Sequence, residues 1–102
     1  MAKKTKIMPP IHPGETLLED FLKPLGLTAN RLAIELQVPV TRVNDIVRGK
    51  RAVTADTALR LARYFGTTPQ FWMNLQANYN LKVAQDARGS EIADRIRPHR
   101  AA

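Results

Sequence analysis

The chain has 102 residues, 16 Lys and Arg against 9 Asp and Glu, a net charge of +7 and no Cys. That length allows one small domain with short tails, and 44% hydrophobic residues suffice for a core. The lack of Cys excludes disulfides, Cys-bearing zinc sites and thiol catalysis, and the positive excess points to a polyanionic partner, nucleic acid first.

Residues 1–10 read as a flexible basic arm with Lys3, Lys4, Lys6 and the stiff pair Pro9-Pro10. Those prolines and His12 stand where a signal peptide has its apolar stretch, and no apolar run approaches the ~20 residues of a membrane span. The absence of Cys fits a reducing cytosol. Strand signals are nearly absent, while the helical period recurs five times, so the expected class is all-α.

The first helix is predicted from about Pro13 to Leu25. Pro13 suits a first helical position, and Glu15 and Glu19 suit its positive end. Leu17, Leu18, Phe21, Leu22 and Leu25 share an apolar face, His12 shapes the start, and Pro24 and Gly26 stop the helix. The second runs from about Ala29 to Leu36 behind Thr28 as N-cap, with Leu32, Ala33 and Leu36 inward. The third runs from about Val40 to Arg48, with Val43, Ile46 and Val47 inward and Gly49 as terminator.

Thr54 caps the fourth, which buries Ala58, Leu61, Ala62 and Phe65 and ends at Gly66. Thr68-Pro69 opens the fifth. It carries Phe71, Trp72, Leu75 and Tyr79 and is expected to stop near Arg88, where Gly89 and Ser90 break the pattern. Residues 11–88 therefore read as the domain and 89–102 as a tail for dimerisation or a disordered segment.

Helices two and three are short and joined by about three residues, and Ala33 permits close crossing of two helices. With Leu32, Leu36, Val38, Val43 and Ile46 as its apolar positions, this is the pattern of a helix-turn-helix, whose second helix enters the DNA major groove. Outward on helix three stand Thr41, Arg42, Asn44, Asp45 and Arg48. Arg can pair bidentately with guanine, and Asn with adenine. Arg48-Gly49-Lys50-Arg51 follows and would neutralise phosphates. From Thr41 to Arg63 lie six basic residues (Arg42, Arg48, Lys50, Arg51, Arg60, Arg63) and two acids (Asp45, Asp56), which places +4 of the total +7 in 23 residues.

Residues 13–80 resemble the Xre/Cro-type helix-turn-helix proteins, and more narrowly the HigA-type antitoxins of type II toxin–antitoxin operons. The resemblance is carried by His12-Pro13-Gly14-Glu15, by the run from Val38 to Ile46, by Arg48-Gly49-Lys50-Arg51, by the run from Thr54 to Leu61, and by that from Pro69 to Gln76. Gln37 departs from the pattern, which has Gly at this turn, and so a different turn or a strained backbone is expected there. The resemblance implies a cytoplasmic protein with a five-helix, lambda-repressor-like fold. It implies a homodimer that binds an inverted repeat in its own promoter, represses the operon and neutralises a RelE-like mRNA-cleaving toxin of HigB type. Base contacts are then expected from Val40, Thr41, Arg42, Asn44 and Asp45. Phosphate contacts are expected from Thr28, Asn30, Arg48, Lys50 and Arg51. A solitary Xre-type or phage-type regulator without a toxin is the alternative.

Phe71 and Leu75 are expected in the core. Trp72, Tyr79, Ile92 and Ile96 are the candidates for dimerisation, since a single helix-turn-helix reads only a half-site. His12 and His99 are too far apart in sequence, and too poor in partners, to suggest a metal site. Ser90, the only serine, has no evident base beside it, and the five Gly form no phosphate loop. Neither an enzyme nor a cofactor is expected, nor a membrane or a small-molecule substrate.

Overall fold

The computed structural model describes residues 8–100, so Lys3, Lys4 and Lys6 of the expected arm lie outside the described residues. Among those described there are five helical stretches and no strand. The first, α1, is continuous but not uniform: an α-helical turn Pro13–Thr16, a π-helical middle Leu17–Leu22 and a closing turn Lys23–Leu25. Then come α2 (Ala29–Leu36), α3 (Val40–Val47), α4 (Ala55–Phe65) and α5 (Pro69–Arg95).

The caps are those the sequence suggests. His12 Nδ1 accepts the Gly14 N–H at 2.8 Å, which opens α1. The hydroxyl oxygens of Thr28, Thr54 and Thr68 accept from the N–H groups of Arg31, Thr57 and Phe71, three residues on in each case. Pro24 does not stop α1. It has no N–H for the carbonyl of Asp20 and its ring would crowd that carbonyl in a regular helix. The wider π turn, in which the Lys23 N–H reaches back to the Leu18 carbonyl, accommodates it. The helix ends instead at Gly26, left-handed at φ 61°, with the Leu27 N–H on the Leu22 carbonyl at 2.9 Å.

The core lies where α1, α2, α3, α4 and the first half of α5 meet. Leu17, Leu22, Leu32, Ala33, Leu36, Val43, Ile46, Ala58, Leu61 and Ala62 are buried in it as their spacing implies, and Val47 and Phe65 are half-buried. Leu25 is a correction: it is 64% exposed, because the π turn and the terminating Gly26 rotate it off the apolar face.

Two corrections concern α5. Trp72 is wholly buried and Phe71 lies at the surface, the reverse of the expected roles. The indole stacks among Phe21, Phe65 and Phe71, and its N–H donates to Thr67 Oγ1 at 2.7 Å. Its polar atom is thus satisfied, so the whole ring can leave water. Trp72 is therefore a core residue of one chain and not a dimer contact. Leu75 is half-buried against the core as expected.

The second is the length of α5. Gly89 and Ser90 do not break it, and the helix runs on to Arg95. An exposed helical Gly costs only about 1 kcal/mol relative to Ala. Lys82–Asp86, Arg88–Glu91 and Arg95–Glu91 pairs, each worth about 0.2–0.5 kcal/mol, help offset it. At about 1.5 Å per residue α5 is about 40 Å long, so it projects from the body. The radius of gyration is accordingly 17.3 Å, against about 13 Å for a compact chain of 100 residues.

Candidate nucleic-acid interface

The sequence places α2 and α3 three residues apart, and the turn between them is built by α2's own carbonyls. Gln37 is left-handed at φ 59° and ψ 47°, the one non-glycine residue with positive φ among those described. Its N–H reaches the Ile34 carbonyl at 3.2 Å, and the Val38 N–H reaches that of Ala33 at 3.1 Å. This is a Schellman motif with Gln in the position usually held by Gly. Of the two expected outcomes for Gln37, the strained backbone is the one found. Arg60 of α4 supports the turn by donating Nη1 to the Leu36 carbonyl at 2.8 Å.

Val43 and Ile46 anchor α3 in the core, so its other face turns outward. Thr41 is exposed on it, while Arg42, Asn44 and Asp45 are half-buried. Val40 is half-buried against the core, which leaves only part of its side chain for a base. Arg42 Nη1 lies 3.4 Å from Asp56 Oδ2, and Arg60 Nε donates to the same oxygen at 2.9 Å. The Arg60 hydrogen bond lowers the pKa of the Asp56 carboxyl from its ordinary value; desolvation opposes it, and the charges of Arg60 and Arg42 add to it.

The basic turn is folded back on α3. Gly49 is left-handed at φ 77°, and the N–H groups of Lys50 and Arg51 both donate to the Asp45 carbonyl, at 2.7 and 3.1 Å. Asp45 Oδ2 also lies 3.9 Å from Arg51 Nη2. Arg48, Lys50 and Arg51 are exposed. Across the turn, Thr28 and Asn30 are exposed at the start of α2. The Thr28 oxygen accepts from Arg31, which leaves its O–H free to donate. The structure thus brings Thr41, Arg42, Asn44, Arg48, Lys50 and Arg51 onto one outward strip of α3 and its following turn.

Three supporting residues have little signature in the sequence. Gln76, buried on α5, accepts the Val53 N–H at 2.7 Å and donates to Asn80 at 2.9 Å, which ties the loop after the basic turn to α5. The only hint was a polar residue four positions after Trp72 on the inward stripe. Asp56 and Arg60 were visible as charges, not as partners of the turn and of Arg42.

His12 joins the same assembly. Beyond capping α1, its ring packs edge-on to Tyr79 of α5 at 4.8 Å and lies beside Gly49 of the basic turn. Burial lowers its pKa from the ordinary 6.5, and the nearby Arg51 backbone opposes this in part. The neutral ring is the one that accepts from Gly14, so folding favours the unprotonated form. The stability this confers is present above about pH 6.5 and is lost as pH falls from there through the lowered value. Thermal melts from pH 8 to 5.5 are expected to show a fall in Tm for the native chain. His12→Asn keeps a cap without a titrating ring and should fall less; equal slopes would refute this role.

Comparison with known proteins bears on what this strip is for. Residues 18–72, more than half of the chain, match the helix-turn-helix family (HTH_3). Virulence-associated protein I of Dichelobacter nodosus is 55% identical over 83 residues, 81% of this chain and 77% of that protein. The fold is also that of an addiction module antidote protein of the HigA family from Coxiella burnetii. That likeness has 49% identity and a TM-score of 0.86 over 90% of this chain and all of the other. Pseudomonas aeruginosa antitoxin HigA, solved with the higBA promoter, is 49% identical with a TM-score of 0.85, over 87% of this chain and 97% of that one. With its helix-turn-helix and these relatives, the chain belongs to the Xre-type DNA-binding regulators of the HigA antitoxin family.

Proposed function

We propose that the protein acts as a homodimer in the cytoplasm, binds an inverted repeat in the promoter of its own operon, represses it, and neutralises a HigB-type mRNA-cleaving toxin. The observation that carries the reading is the outward strip of α3 with the basic turn beside it. Thr41, Arg42 and Asn44, with lesser contributions from Val40 and Asp45, read base edges. Arg48, Lys50, Arg51, Thr28 and Asn30 grip phosphates and fix the register. The family relation supports the antitoxin half, and the promoter bound to the Pseudomonas aeruginosa relative supports the operator half. The work is binding, not catalysis.

Dimerisation falls to the projecting half of α5. Leu81 and Ile92, eleven residues apart and so on one side of the helix, and Ile96 just past its end are exposed, at 59, 45 and 65%, and a second copy would cover them. Tyr79, half-buried against His12, stands two residues from Leu81 and so on the opposite side of α5, turned to its own chain.

The test is fluorescence anisotropy of the chain on its own upstream DNA and on a scrambled duplex, at several salt concentrations. Arg42→Ala should cost about 1–3 kcal/mol on the upstream DNA and relax discrimination. Lys50→Ala should weaken both duplexes alike and lower the salt slope by about 1. Equal affinity of the native chain for the two duplexes would overturn the operator reading. Co-expression with a toxin of HigB type tests the antitoxin half: rescue from its toxicity is expected, and an absence of rescue overturns that half alone.

A further inference from the structure

Asp56 stands outside the helix-turn-helix, yet its carboxylate reaches into it. One oxygen, Oδ2, is 3.4 Å from Nη1 of Arg42 on α3 and 2.9 Å from Nε of Arg60 on α4. Arg60 in turn gives Nη1 to the carbonyls of Leu36 at 2.8 Å and Gln37 at 3.5 Å. A line of contacts therefore runs from the strained turn, through α4, to the third residue of α3. That residue lies in the N-terminal part of the helix, the part that meets base edges in this motif.

A guanidinium on a long flexible stem samples many rotamers, and its recognition of guanine depends on the orientation of a planar fork. Asp56 engages one nitrogen of Arg42 and leaves the others free to donate. The same carboxylate, 58% exposed beside the strip, also repels phosphates that come near it, in either duplex alike.

We infer that Asp56 is a positioning residue which aims Arg42 and thereby sets the base preference where Arg42 reads. The inference rests on the operator-reading role proposed above and deepens it. Asp56→Asn keeps the size and removes the charge. It should lower the ratio of affinity for the upstream DNA to affinity for a scrambled duplex by about tenfold, within the range set by one bidentate base contact. Binding to the scrambled duplex should rise. Asp56→Glu should recover at least part of the ratio. In an Arg42→Ala background the Asn change should alter the ratio by less than about twofold, since no guanidinium remains to be aimed.

The experiment measures anisotropy at one fixed salt concentration with both duplexes. It uses the native chain, the two Asp56 variants, Arg42→Ala and the Arg42→Ala/Asp56→Asn double variant, each checked for fold by circular dichroism. An Asn effect on the ratio that is the same with and without Arg42 would overturn the inference, because Asp56 would then act by charge alone. An unchanged ratio would overturn it too. A native chain with no preference for the upstream DNA defeats the operator reading itself, and is told apart because it needs no variant.

Discussion

Trp72→Ala is expected to cost about 3–5 kcal/mol, the range for emptying a buried large aromatic site. Domains of this kind have about 5–15 kcal/mol in all, so the variant is at the edge of folding at 37 °C. The indole is 0% exposed and joins three elements: Phe21 of α1 at 5.0 Å between ring centroids, Phe65 of α4 at 6.4 Å, and its own neighbour Phe71 at 5.0 Å. Ala leaves a cavity that no one of them can fill without moving a helix. Trp72→Phe refines the argument. It keeps most of the apolar bulk but takes the donor from Thr67 Oγ1, and should cost about 1–3 kcal/mol. Urea denaturation followed by far-ultraviolet dichroism measures both, because the chain has no other tryptophan to report by fluorescence. A loss below about 1 kcal/mol for the Ala variant would show that the ring is not the centre of the core.

The second large effect is Gly14→Ala, and here the sign is the point. Replacing a helical Gly by Ala normally stabilises by about 0.5–1 kcal/mol. At Gly14 the added methyl would lie 1.7 Å from the Ile46 carbonyl oxygen and 2.7 Å from its carbon. Both are backbone atoms of the last turns of α3, with no rotamer to yield. Either α1 or α3 must shift, and the expected result is a loss of about 3 kcal/mol, the upper end of overpacking. Operator affinity should fall with it, since α3 carries the proposed reading face. Gly89 is the control. A methyl there meets only Gln85 Cβ at 3.8 Å, so Gly89→Ala should gain about 0.5–1 kcal/mol. Chemical denaturation of the two variants should give opposite signs; the same sign would mean that the close crossing of α1 and α3 is not rigid.

That contrast shows what kind of information a sequence holds. Thr28, Thr54 and Thr68 could be read as caps because a cap acts within three residues of itself. The buried rows of α2, α3 and α4 could be read because each is fixed by its own period. The need for Gly14 could not be read, since it depends on a carbonyl 32 positions further on. The exchange of Phe71 and Trp72 has a similar origin. Two adjacent aromatic residues fit two helix phases, and Thr67 Oγ1, five residues before Trp72, decides between them. Gly89 misled for a thermodynamic reason: a glycine penalty of about 1 kcal/mol weakens a helix without ending it. At the interface the charge and its place on α3 were legible. The Asp56 partnership, fourteen residues away from Arg42, was not.

The basic turn after α3 has a further consequence, for the entropy of association. In the free chain the backbone amides of Lys50 and Arg51 are already bonded to the Asp45 carbonyl, and the His12 ring lies beside Gly49 of the turn. Fixing a residue's backbone costs about 1–2 kcal/mol, and for this segment that cost falls on folding. A phosphate-gripping loop that was mobile in the free protein would meet it again at every encounter with DNA. Here mainly side-chain freedom remains to be lost, so more of the contact energy of the phosphate grip proposed for Lys50 and Arg51 is left to appear as affinity.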